Sequence, residues 1–152
     1  MNSEKISKFI CAKLLEFQKD YASAKDHSRE IDHLLGYNCD SIEIQLKSTK
    51  LIDDGNFPKN FWIGLDLQTL QTPYSELLAM ICYLKPADGE VWLDLGAGYG
   101  RMGVILGFLR KTVHFKGYEY VPQRSIEGNR IFKKWNLNQA KIIQVDLTSK
   151  EF

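Results

Sequence analysis

Val91-Trp92-Leu93-Asp94-Leu95-Gly96-Ala97-Gly98-Tyr99-Gly100-Arg101 decides how this chain is read. An apolar run that ends in an acid reads as a buried strand. Three alternating glycines read as a tight loop, and the residues after Gly100 as the start of a helix. Glycine gives a backbone access to positive φ and leaves room for a ligand to lie against it. A nucleotide-like ligand at the carboxyl end of the first strand of an α/β sheet needs both.

Downstream of the loop, strand and helix patterns alternate. His114–Tyr120 and Lys141–Asp146 read as strands, Arg101–Arg110 and Pro122–Trp135 as helices. Strand, helix, strand, helix, strand in short succession implies right-handed crossovers and a parallel sheet. Glu119 falls near the end of the second strand and Asp146 at the end of the third. A carboxylate at Glu119 can accept hydrogen bonds from both hydroxyls of a ribose.

Upstream the pattern is different. Ile6, Ile10, Leu14, Phe17 and Tyr21 make one apolar stripe, which predicts an amphipathic helix over Ser3 to Tyr21. A shorter helix is expected from Ser28 to Leu35, stopped by Gly36. Ser41–Lys47 alternates strictly and reads as a half-exposed strand. Asp53–Asn56 reads as a turn, and Phe61–Leu67 as a short strand or packed loop. Thr72 and Pro73 read as N-cap and first position of a helix whose apolar face is Tyr74, Leu77, Leu78, Ile81 and Leu84. Residues 1–70 thus form a helical extension with one or two short strands, and residues 71–152 carry the α/β pattern.

The motif Asp94-x-Gly96-x-Gly98-x-Gly100 resembles the first motif of the class I, Rossmann-like S-adenosylmethionine-dependent methyltransferases. The resemblance runs from about Gln71 to Leu147. It implies a site made of Asp94, Gly96, Ala97, Gly98 and Gly100 around the methionine half of S-adenosylmethionine, with Asp94 facing the amino group. Glu119 would take the ribose and Tyr120 would lie against the adenine or simply pack in the core. Asp146 and the Leu147 backbone would face the adenine edge. A Thr-Pro segment like Thr72-Pro73-Tyr74 closes over the methionine end in a branch that methylates proteins. Here Thr72 and Tyr74 either do the same or serve as an N-cap and a core aromatic. Glu119→Ala is expected to leave the fold intact.

A dinucleotide site is the rival, since Gly98, Gly100 and Gly103 formally spell Gly-x-Gly-x-x-Gly. It places Asp94 where a pyrophosphate would bring negative charge, whereas S-adenosylmethionine has no phosphate.

Composition excludes more than it assigns. A net charge of +1, from 20 basic and 19 acidic residues, leaves no electrostatic footprint for nucleic acid or an anionic membrane. No apolar run approaches the roughly 18 residues that span a bilayer, and no secretory signal opens the chain. Cys11, Cys39 and Cys82 lack metal or disulfide spacing, which points to reduced thiols and a cytoplasmic setting. His27, His33 and His114 read as structural or solvent-facing, so no metal is expected.

The resemblance covers three of the seven strands usual in that family, so the sequence reads as a fragment of a longer protein or a naturally shortened one. The expected function is methyl transfer to an acceptor that the sequence does not name: protein, nucleic acid or small molecule. Its catalytic residues are not legible. The alternatives are a non-catalytic S-adenosylmethionine-binding module and, further off, an NAD-dependent oxidoreductase. Without a fourth strand, Val91–Leu95 is an apolar edge. Ile42–Leu46, Phe61–Leu67 or a second copy of the chain must cover it, the last making a homodimer.

Overall fold

The structure, a computed structural model, describes residues 3–52, 62–63 and 65–147. Ten elements follow in order: α1 (Ser3–Leu14), α2 (Tyr21–Leu35), α3 (Cys39–Ile52), α4 (Leu67–Leu70), α5 (Tyr74–Leu84), β1 (Val91–Leu95), α6 (Arg101–Leu109), β2 (His114–Glu119), α7 (Pro122–Lys134) and β3 (Ala140–Gln144).

The three strands form one parallel sheet in the order β1-β2-β3. Trp92 stands beside Phe115, which stands beside Ala140, and Asp94 beside Gly117 and then Ile142. These rows face the helices. Phe115, Ala140 and Ile142 are buried with Val104, Ile105, Ile131 and Phe132 of α6 and α7. The same core takes in Ile10 and Leu14 of α1, Ile31 and Leu35 of α2, and Leu77 and Ile81 of α5. The N-terminal helices therefore share the core of the α/β unit. Gly103 lets α6 sit this close to the sheet, because a Cβ there would stand 2.6 Å from both Phe115 and Phe132.

On the opposite rows β1 is largely uncovered. Val91, Leu93 and Leu95 are 56%, 62% and 68% exposed. Among the described residues β1 pairs with β2 alone, so its outer edge is open. Two of the expected covers lie elsewhere. Leu46 packs with Ile63 and Val121, and Leu67 with Cys39 and Tyr99.

Several N-terminal expectations are corrected. The first helix stops at Leu14, with Phe17 and Tyr21 exposed instead of completing its stripe. Asp20 starts a new helix by accepting a 2.8 Å bond from the Ser23 N–H, so α2 begins seven residues before Ser28. It ends at Gly36, whose φ of 82° lets its N–H reach Asp32 and His33 carbonyls. Ser41–Lys47 is helix, within α3. Glu43 and Leu46 face inward while Ile44 is exposed, and an inward-facing Glu disguised a helical stripe as strand alternation. Of the two readings of Phe61–Leu67, short strand or packed loop, its described residues form no strand. Trp62 and Ile63 are irregular, and Leu67 opens α4 behind an Asp66 cap. Asp53–Asn56, Phe61 and Gly64 fall outside the described residues. Thr72 is not an N-cap. Pro73 holds that position, and the Tyr74 N–H is satisfied by Ser28 Oγ of α2 at 3.0 Å. Tyr120 lies just past β2. Asp146 lies two residues past β3, although the Val145 N–H still donates to the Glu119 carbonyl.

Candidate functional site: the glycine loop and its two clefts

The loop after β1 is tied to β2 at three points. The Gly96 and Ala97 N–H groups both donate to the Tyr118 carbonyl at 2.8 Å, and the Gly98 N–H donates to Glu119 Oε2 at 2.8 Å. The other carboxylate oxygen of Glu119 accepts from the Val121 N–H, also at 2.8 Å. Gly96, Gly98 and Gly100 all have positive φ, at 88°, 54° and 81°. Their reasons for being glycine differ. At Gly96 a Cβ would meet nothing within 4 Å, so the space above it is open. At Gly100 a Cβ would stand 2.7 Å from Phe132 and 2.8 Å from Ile142, so this glycine serves packing.

Two clefts flank the loop and share Leu70, Gln71, Gly96 and Gly98 as their common wall. The first, about 640 Å³, is lined by Asp94, Ala97, Thr72 and Arg101 and runs along β1 to Met80 and Leu84 of α5. The second, about 590 Å³, is lined by Glu119, Tyr120, Asp146 and Leu147, with Tyr118, Arg124 and Trp62. The residues named from sequence thus divide between two compartments, with the glycines between them. Two are placed elsewhere: Gly100 is in the core, and Tyr74 lines neither cleft. Tyr74 is fully buried and its hydroxyl donates to Asp32 Oδ1 at 3.0 Å.

Asp94 is half-buried at the end of β1. Burial, and then the nearby charge of Glu119, raise its pKa above the usual carboxylate range. Glu119 is itself buried and anchors two backbone N–H groups. That corrects the expectation for Glu119→Ala, which would strip the loop of acceptors as well as any ligand of a partner.

Further residues build the site without any local sequence signal. Arg101, the first residue of α6, is buried in the wall of the first cleft. Its Nε is 3.4 Å from Asp32 Oδ1, its Nη2 is paired with Asp32 Oδ2, and the same nitrogen donates to Gln68 Oε1 at 3.0 Å. Its Nη1 donates to the Thr72 carbonyl at 3.3 Å, and the guanidinium lies 5.1 Å from the centre of the Tyr74 ring. Burial opposes its charge, but Asp32, Tyr74 and Tyr37 together outweigh burial and raise its pKa above the ordinary arginine value. Arg124 of α7 holds Glu43 of α3 through two bonds of 2.8 and 3.0 Å, and Glu43 also accepts from the Tyr99 hydroxyl at 2.8 Å. Gln71 leans over Gly98, and its Oε1 is buried without a partner among the described residues. Trp62 stands at the second cleft with its carbonyl bonded to Arg124. The partners in these pairs lie as much as 81 residues apart, so spacing does not reveal them.

Among the described residues no three His, Cys, Asp or Glu side chains converge as metal ligands would. None of the described helices is long and apolar enough to cross a membrane.

A parallel sheet carrying a glycine loop at the end of its first strand, with acids near the ends of all three strands, is a Rossmann-like α/β fold. Solved structures share it. The chain superposes over its full length on coclaurine N-methyltransferase bound to N-methylheliamine and SAH, with a TM-score of 0.50 and 13% identity. It also matches the precorrin-6y C5,15-methyltransferase of Geobacter metallireducens GS-15 over 66% of its length, with a TM-score of 0.47 and 19% identity. The chain spans 47% and 49% of those two proteins. No protein-family profile and no curated protein matches the sequence. At these identities the likeness speaks for the Rossmann-like fold alone.

Proposed function

We propose that this chain binds S-adenosylmethionine and is the cofactor-binding part of a methyltransferase. One observation carries the reading: Asp94 is held at the glycine loop with its pKa raised by burial and by the charge of Glu119. The two arginines of the clefts, Arg101 and Arg124, are each held by another acid, Asp32 and Glu43, and burial and Glu119 leave Asp94 with a raised pKa. A ligand with an ammonium group beside a sulfonium relieves the strain between the two carboxylates, whereas a pyrophosphate adds to it. This favours the methyl donor over NAD.

The residues present fit that group. Gly96 leaves space for a chain to cross from one cleft to the other, and Gln71 lies over the neighbouring Gly98. Asp94 would hold the amino group in the first cleft, with Thr72 and Ala97 forming its wall. Glu119 has lone pairs left for ribose hydroxyls after its two backbone bonds, and Tyr120, Asp146 and Leu147 would border the base. When bound, the cofactor supplies a methyl group on a positively charged sulfur. The chain's part is to bind and align it, which needs no covalent nucleophile. The acceptor, whether protein, nucleic acid or small molecule, is not specified by these residues.

A second reading, a module that binds the cofactor without transferring its methyl, is favoured by the open flank of β1. Displacement proceeds best where water is excluded, and the first cleft runs along that exposed edge. Transfer of a labelled methyl group to protein, nucleic acid or small molecules of a cell extract separates the two.

Titration calorimetry tests the ligand. SAH should bind and NAD should bind more weakly or not at all. Tighter binding of NAD, or binding of neither, overturns the proposal.

A further inference from the structure

We propose that the indole of Trp62 is a lid over the purine base of an adenosyl ligand in the second cleft. The inference rests on the cofactor-binding reading and adds a base-recognition residue contributed by the N-terminal extension.

Three observations carry it. Trp62 is 71% exposed, although it is the largest apolar side chain in its stretch, and its neighbour Ile63 is buried against Leu46 and Val121. The backbone there is pinned: the Trp62 carbonyl accepts a 2.6 Å bond from Arg124 Nη2, and Glu43 holds Arg124 on two sides. That bond uses only the backbone, so it explains the anchoring and not the tryptophan. Finally, Trp62 lines the cleft that also holds Glu119, Tyr120, Asp146 and Leu147.

A large flat side chain on a fixed backbone, left uncovered at the wall of a cleft, is a stacking platform. An aromatic ring loses little conformational freedom on contact, and every nucleobase offers it a π-face. Glu119 positioned on the ribose would place the base toward Tyr120 and Leu147, the compartment Trp62 borders. The extension thereby reads the base, while the glycine loop reads the amino-acid end.

The test pairs calorimetry with tryptophan emission, titrating the full chain with SAH. Trp62→Ala should weaken SAH binding about fivefold or more, the lower bound for loss of one base stack, with an unchanged circular dichroism spectrum. Trp62→Phe should recover most of that loss, because a phenyl ring still stacks. The wild-type emission should change on binding, and the change should be largely absent in Trp62→Phe, which separates Trp62 from Trp92 in the other cleft. Wild-type affinity in Trp62→Ala, or an undiminished emission change in Trp62→Phe, overturns the lid alone. Failure of the wild-type chain to bind SAH overturns the cofactor reading and the lid with it.

Discussion

Asp94 is held against its own charge. Burial and Glu119 both raise its pKa, so the folded chain binds a proton there more readily than the unfolded chain does. By linkage, this carboxyl costs the fold nothing well below the ordinary aspartate pKa of about 4. The cost grows as pH rises through the folded-state value and is complete above it. Asp94→Asn should therefore raise the melting temperature at pH 7, and the gain should vanish at acid pH. The same change should weaken SAH binding at pH 7 by about 1.5–3 kcal/mol, the scale of a hydrogen bond to a charged group. In the wild type, affinity should fall as acid protonates Asp94. Thermal melts and calorimetry across pH check both. A destabilised Asp94→Asn chain with unaltered affinity would make Asp94 a structural residue.

Helices α2 and α3 reach the loop through charge. Asp32 holds Arg101 and Glu43 holds Arg124, and all four residues are buried. Removing one member of such a pair strands the other in a site with little water, at about 3–5 kcal/mol. Asp32→Ala should cost that much in urea unfolding. Replacing both partners, with Asp32→Leu and Arg101→Met, should cost clearly less than the sum of the single changes, since no stranded charge remains. Additive costs would mean that the two side chains are not coupled. Neither acid stands out in sequence. Asp32 lies in the segment read as a short helix from Ser28 to Leu35, and Glu43 lies in the segment whose alternation made α3 look like a strand.

Across the molecule, one face of the sheet is covered by helices and the other is bare at β1. The exposed Val91, Leu93 and Leu95 lie along an edge whose N–H and C=O groups lack a neighbouring strand among the described residues. The internal covers expected for it are used elsewhere, by α3 and α4. We propose that a second copy pairs with this edge, β1 to β1 in antiparallel sense around Leu93, which is the sense a two-fold axis requires. Light scattering over a range of concentrations should find a dimer, and Leu93→Lys should return it to monomer. A wild-type chain that stays monomeric at high concentration overturns this pairing.

The glycine loop, the three parallel strands and the helices between them were legible in the residues because their cues are local. Strand and helix periods, the glycines at Gly96 and Gly98 and the acid at Asp94 act within a few positions of one another, and Glu119, 21 positions from Gly98, stands at the end of the next strand. The division of the site into two clefts was not legible, nor were the roles of Arg101, Arg124, Gln71 and Trp62. Those depend on contacts between residues as much as 81 positions apart, and a buried ion pair looks from sequence like two solvated charges. Tyr74 shows the same limit. Its place beside Thr72 left a ligand contact and a core aromatic equally open, and the fold turns it inward, where Asp32 and Arg101, from two other helices, meet its hydroxyl and its ring face.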